Sequence, residues 1–156
     1  MRLCRVAGRN MRIDTFLEQS PMFAVHRAAR RFEAVAAEAL AAEELGFMEG
    51  LVLAALVFEA PQLVKPSQLA ETFATTRSNI SHCVSSLEAK GLVRRQMDPE
   101  DARAFLLVLR PQGRRAAMRV ITAFDKLQRQ FEQEIGKTAL GTTLQNLRRL
   151  ERVESK

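Results

Sequence analysis

Cysteine and histidine are scarce in this chain of 156 residues: Cys4, Cys83, His26 and His82 are all it has. Two cysteines cannot build a disulfide framework, and these side chains are too scattered to form the close ligand pairs of a zinc site. The sequence therefore predicts no metal and no cofactor. Long apolar runs are also missing. The densest, LVLAALVF at 51–58, is far shorter than the roughly 20 residues that span a bilayer. Arg2, Arg5, Arg9 and Arg12 lead into no apolar segment with a cleavage site, so no secretory signal is read and a cytoplasmic, membrane-free location is expected. Met11 is a second candidate start, which would leave MRLCRVAGRN as an unstructured leader.

What the chain has is basic charge. Twenty-four Lys and Arg face 18 Asp and Glu for a net +6, and 19 of the bases are Arg. The planar guanidinium fork grips phosphate or carboxylate, which makes nucleic acid the leading partner. With 47% hydrophobic and 27% charged residues the composition reads as soluble and globular, and the length fits one domain or one domain with appended helices.

Apolar residues from Val25 to Leu40 recur at helical spacing, predicting a long helix over 21–45, capped by Ser20 and stopped by Gly46. A second helix over 47–59 is apolar nearly all round and belongs in the middle of the fold. Pro61 and Pro66 fence off a linker. Ser67 then caps a short helix, SQLAETFA, and Thr76 caps another whose inward stripe is Ile80, Cys83 or Val84, and Leu87, with Gly91 as its stop. Two short helices with a tight connection satisfy a helix-turn-helix. LVRRQM at 92–97 and AFLLVL at 104–109 alternate as strands around the turn DPEDAR, and a long helix with a shorter successor follows Pro111. The expected organisation is a flexible leader over 1–20, two helices over 21–60, a compact lobe over 61–110 and terminal helices over 111–156.

The stretch TTRSNISHCVSSLEAKG at 75–91 carries the chemistry. Turning Ile80, Val84 and Leu87 inward leaves Ser78, Ser81, His82 and Ser85 outward, with Arg77 and Asn79 at the helix start. Small hydroxyls let a base edge come close, and Arg and Asn offer paired groups that match guanine or adenine in the major groove. Thr75 and Thr76 sit where free backbone N–H groups favour phosphate. Arg103 closes a turn able to reach a minor groove, whose negative potential attracts guanidinium. Arg94 and Arg95 alternate along the first strand, so one faces phosphate and the other the helix behind. Residues 90–119 hold eight bases and three acids, five of the six net charges. A serine-rich helix face is commonly just solvated, and Asn79 serves equally as a local cap; the wing at the right distance favours DNA.

His82 beside Cys83 invites a nucleophile, but neighbours on a helix point about 100° apart. No catalytic acid or phosphate-binding glycine loop accompanies them. No enzyme is read here, and Cys83 is taken as a small core residue. Cys4, in the leader, has no capped helix start to lower its pKa for redox sensing.

SQLAETFATTRSNISHCVSSLEAKGLVRRQMDPEDARAFLLVLRPQG, residues 67–113, resembles the winged helix-turn-helix core of the MarR family of bacterial transcriptional regulators. The resemblance rests on the capped R-S-x-I-S start, the LEAKGLVRR exit and the DPEDARAFLLVL wing. It implies a mostly α fold with a small β-hairpin wing, flanked by N- and C-terminal dimerisation helices. It also implies a homodimer, a recognition helix from Arg77 to Lys90, and Arg103 at the wing tip oriented by Asp101. A small aromatic effector in a crevice is implied too, with Phe23, Phe32, Phe47, Met48 and Phe58 able to line it and equally able to be plain core. Arg110 stands where the family usually has a hydroxyl, so the following helix is expected to start at Pro111. His82 and Cys83 replace the more usual Arg and Leu. The expected function is a dimeric, sequence-specific repressor of a pseudo-palindromic operator on double-stranded DNA; the alternative is a winged-helix protein-interaction module without operator binding.

Overall fold

The computed structural model describes residues 12–153. The described chain is helical except for one hairpin. Helix α1 spans Arg12–Gln19, α2 Pro21–Leu40, α3 Phe47–Phe58, α4 Pro66–Thr72 and α5 Arg77–Ala89. Strands β1 (Val93–Met97) and β2 (Phe105–Leu109) follow, then α6 (Pro111–Ile135) and α7 (Lys137–Leu150). Residues up to Val35 form one compact unit and those from Ala36 another. Cys4, Met11 and the first ten residues lie outside the described residues.

In the first unit, α1 occupies part of what the sequence reading left as a flexible leader over 1–20. Ile13, Phe16 and Leu17 recur at i, i+3 and i+4, which is enough apolar periodicity for two turns. Ser20 Oγ accepts the Phe23 backbone N–H at 3.2 Å, capping α2 as expected.

The second unit holds the core. Helix α2 ends at Leu40 rather than Leu45, because Ala41–Glu43 tighten into a 3-10 turn and Glu44 adopts a left-handed φ of 55°. Leu40 and Leu45 are both buried on either side of this reversal. Helix α3, apolar nearly all round, occupies the middle: Val52, Leu53 and Leu56 pack among Ile80, Val84 and Leu87 of α5, Val93 and Leu107 of the hairpin, and Ala117 and Val120 of α6. Helix α4 is capped differently from expectation. Lys65 is its N-cap and Pro66 its first residue, and Gln68, not Ser67, reaches back to accept the Lys65 backbone N–H at 2.8 Å.

The strands pair antiparallel, Val93 opposite Leu109 through Met97 opposite Phe105. The Leu107 N–H also donates to the Val64 carbonyl at 2.9 Å, so the linker before α4 adds one rung to the wing. Helix α6 starts at Pro111 with Arg110 as an N-cap that makes no side-chain cap bond, as its departure from a hydroxyl predicts. A Cβ on Gly113 would lie 2.8 Å from the Leu92 carbonyl carbon, so this glycine lets α6 leave the hairpin base at close range. The apolar stripe of α6 and α7 then runs past the core: Ile135, Leu144 and Leu150 are each 41–49% exposed.

Candidate nucleic-acid interface

Helix α5 is built from its ends inward. Thr76 Oγ1 accepts the Asn79 backbone N–H at 3.1 Å, and the Asn79 amide donates to Thr75 Oγ1 at 2.9 Å, so the first turn is doubly tied. Gly91, at φ 69°, ends the helix, and the Leu92 N–H donates to the Leu87 carbonyl at 2.9 Å. Ile80, Cys83, Val84 and Leu87 are buried. This leaves Arg77, Ser78, Asn79, Ser81, His82 and Ser85 exposed on the opposite side. Among them, Arg77, Ser78, Ser81 and His82 have no side-chain partner among the described residues. Asn79 is engaged as a local cap.

The wing is fastened to α5 by its first strand. Arg95 Nη1 lies 2.7 Å from Glu88 Oε2, its Nη2 donates to Ser85 Oγ at 3.1 Å, and its backbone N–H donates to Glu88 Oε1 at 2.9 Å. Arg94, one residue earlier and on the other face, is exposed and has no partner among the described residues. The two arginines therefore lie on opposite faces of β1, with Arg95 turned to α5.

The wing turn hangs on Asp98, the one charged side chain buried among the described residues. Its carboxylate meets Lys65 Nζ at 2.6 Å and accepts the Glu100 N–H at 2.9 Å, while its own N–H donates to the Ala104 carbonyl. The Lys65 ammonium, aided by the Glu100 N–H, holds the Asp98 carboxyl below the usual aspartate range, and Asp98 in turn raises Lys65. Beyond this anchor Pro99 to Arg103 are all exposed. Asp101 accepts the backbone N–H of Arg103 at 3.0 Å, so it shapes the chain at Arg103, and the guanidinium has no partner among the described residues.

Further ion pairs hold the frame. Lys90 meets Glu49 at 2.9 Å, and Arg119 grips Glu43, with Nη2 to Oε2 at 2.7 Å. Sequence reasoning named none of Lys65, Asp98, Glu49, Glu88 and Glu43 as site residues. The acidic DPEDAR turn was a visible signal for Asp98, but nothing local points to its partner.

In the second unit the aromatic candidates are spread out. Phe47 packs edge-on against Phe124, ring centroids 5.9 Å apart, and Met48 lies against the core. Phe58 is 72% exposed at the far end of α3, about 16 Å along the axis from Phe47. In the first unit, Arg27 lies over the Phe23 ring and Phe32 is half exposed. Cys83 is buried and its thiol is pushed up by burial and then by the charge of Glu49. Among the described residues no three His, Cys, Asp or Glu gather to hold a metal, and no helix is long and apolar enough to cross a membrane.

A capped helix presenting small polar side chains, braced by a second helix and flanked by a basic hairpin, defines a winged helix-turn-helix. The comparisons agree. Residues 44–104 match the model of the MarR family. A protein of Thauera aromatica that carries the name of a transcriptional regulatory protein for the hcr operon is 34% identical over 89 residues, 57% of this chain and 54% of that protein. The chain thus spans about half the length of that curated relative. A solved structure from Pseudomonas aeruginosa, named a probable transcriptional regulator, is 26% identical with a TM-score of 0.75, covering 86% of this chain and 98% of that one. The MepR–DNA complex of S. aureus, 17% identical over 84% of this chain and 96% of that one, shares the fold with a TM-score of 0.78. Over residues 44–104 the chain is therefore similar to the MarR family of transcriptional regulators.

Proposed function

We propose that this protein is a sequence-specific regulator of transcription that binds double-stranded DNA as a homodimer, represses from a pseudo-palindromic operator and is released by a small aromatic effector. The observation that carries this reading is the pairing of two unengaged surfaces: the α5 face of Arg77, Ser78, Ser81 and His82, and the guanidinium of Arg103 beyond the anchored wing turn. Helix α5 enters a major groove and the wing reaches the neighbouring minor groove. Thr76, Asn79 and Ser85 shape or flank the helix contact, Arg94 reaches phosphate, and Arg95 and Asp101 hold the frame of the contact.

Dimerisation is supported by apolar surface that the described chain leaves uncovered. In one unit Phe16 is 66% and Met22 84% exposed; in the other the stripe of Ile135, Leu144 and Leu150 continues past the core. Two half-sites also supply affinity that one short helix rarely reaches. The fold shared with the MepR–DNA complex supports this docking mode by architecture alone. Within the second unit, Phe47 and Met48 are the proposed contacts for the effector. Effector binding acts by population shift, favouring a half-site separation that does not fit the operator. The protein works in the cytoplasm and carries out no catalysis.

The test is binding of the purified protein to its own upstream intergenic DNA against scrambled DNA of equal length, at two salt concentrations. A specific complex with two chains per site, weakening steeply with salt, is expected. Binding indifferent to sequence and lost at moderate salt would sink the operator reading for that DNA and favour an interaction module that uses the same basic face on an acidic protein.

A further inference from the structure

Val64 and Lys65, adjacent in sequence, touch the wing at two separate points. The Val64 carbonyl accepts from Leu107 in the second strand at 2.9 Å, and Lys65 Nζ meets the Asp98 carboxylate at 2.6 Å at the start of the turn. Lys65 is also the N-cap of α4, its backbone N–H held by Gln68. The first helix of the helix-turn-helix and the wing therefore share a two-residue strap. Asp98 is 7% exposed, whereas Pro99 to Arg103 are all exposed. The Glu100 N–H donates to this buried carboxylate, the Asp101 N–H donates to the Asp98 backbone carbonyl and the Asp98 N–H donates to the Ala104 carbonyl, so the exposed segment hangs from this one residue.

We propose that Lys65 and Asp98 are positioning residues for DNA binding: their ion pair fixes the wing turn, and so Arg103, relative to the α4–α5 pair before DNA arrives. This rests on the DNA-binding reading above. A turn that is already ordered loses less conformational freedom on binding than one that must be ordered by the duplex, so the pair raises affinity without touching DNA.

Charge alone makes the opposite prediction, which gives the test its sign. Removing a carboxylate from a DNA-binding lobe reduces repulsion from phosphate and should tighten binding. Positioning requires that Asp98→Asn weaken it. The probe is a duplex selected by the wild-type protein from a randomised library, with Kd measured across a salt series. Amide hydrogen exchange is followed in parallel on the free, full-length protein. Asp98→Asn and Lys65→Met should each weaken binding roughly ten-fold, while Lys65→Arg, which keeps the pair, stays near wild type. In Asp98→Asn the slope of log Kd against log salt should be unchanged. The Asp101 and Ala104 amides should exchange several-fold faster in both weakened variants.

Unchanged or tighter binding by Asp98→Asn would overturn the proposal, and so would unchanged exchange in the turn. If Lys65→Met flattens the salt slope while Asp98→Asn binds more tightly, Lys65 is a direct phosphate contact and the positioning role falls. A wild-type protein that enriches no duplex would instead refute the DNA reading and the affinity role with it; the exchange data would still decide whether the pair orders the turn.

Discussion

Lys90, the cap at the end of α5, donates to both carboxylate oxygens of Glu49 in the first turn of α3, at 2.9 and 3.0 Å, and to the Glu44 carbonyl at 2.7 Å. Burial pushes Glu49 up, but hydrogen bonds from Ser86, the Gly46 N–H and Lys90 outweigh it and hold the carboxyl below its ordinary range. Lys90→Met should cost about 1–2 kcal/mol, because it leaves a mostly buried carboxylate short of its cation. Thermal melts should show the loss near neutral pH. A depressed glutamate contributes stability above its ordinary range and loses it as pH falls through the folded value, so the gap between variant and wild type should narrow in acid.

Gly113 and Gly50 both sit at close approaches, yet they differ in what a methyl group would meet. At Gly113 it is the backbone of Leu92, and at Gly50 it is chiefly the Leu40 side chain, Cδ1 at 2.9 Å. Gly113→Ala should destabilise by roughly 1–3 kcal/mol, since α6 must shift from the hairpin base. Gly50→Ala is easier to absorb and gains up to about 1 kcal/mol of helix propensity. Chemical denaturation of the two variants should rank them in that order; equal losses would refute the distinction.

Arg94 and Arg95 are neighbours with opposite expected phenotypes. Arg94→Ala should flatten the salt dependence of DNA binding by about one unit of slope and leave the melting temperature in place. Arg95→Ala breaks the contacts to Glu88 and Ser85, so it should lower stability by about 0.5–1 kcal/mol with little change in slope.

Ser81→Leu should abolish discrimination between operator and scrambled DNA while circular dichroism and dimer mass stay as in wild type. Arg103→Ala should weaken binding to all sequences and reduce the salt slope. Retained operator affinity in the first variant would mean that the wrong face of α5 had been assigned, and an unchanged slope in the second would remove the wing from DNA contact.

The wing turn should also respond to pH. Asp98 is depressed and Lys65 raised, so their pair persists below the usual aspartate range and above the usual lysine range. In acid, Asp98 protonates as pH falls through its folded value. Proteolysis or hydrogen exchange in the turn should rise there and do so at higher pH in Lys65→Met. Equal acid sensitivity in the two proteins would show that the lysine does not set it.

Local signals carried the elements well. Thr76, Gly91 and the inward quartet of α5 are legible because caps and helical periodicity act within a few residues. The two strands and the start at Pro111 follow for the same reason. The early end of α2 was not legible, because the reversal at Glu44 depends on the burial of Leu40 and Leu45 together. Nor was the cap of α4: Ser67 has the right chemistry, but the Lys65–Pro66 entry with Gln68 behind it takes the role. The ion pairs were least accessible. Glu49 and Lys90 are 41 residues apart and Glu43 and Arg119 are 76 apart, and only the packed fold selects those partners from 24 bases and 18 acids. At the interface, sequence distinguished the outward face of α5 and offered Asn79 as a local cap, but it did not show that Arg95 engages Ser85.

That division within α5 bears on how such a protein can change over evolutionary time. Among the described residues Arg77, Ser78, Ser81 and His82 hold nothing else in place, so replacements there should carry little folding penalty and be exposed to selection almost entirely through what they recognise. Asn79 and Ser85 are tied into the scaffold, and altering them disturbs a cap or a wing contact as well. Divergence after duplication should therefore concentrate at these four unencumbered positions, letting copies acquire new targets by single steps while the surrounding architecture stays fixed.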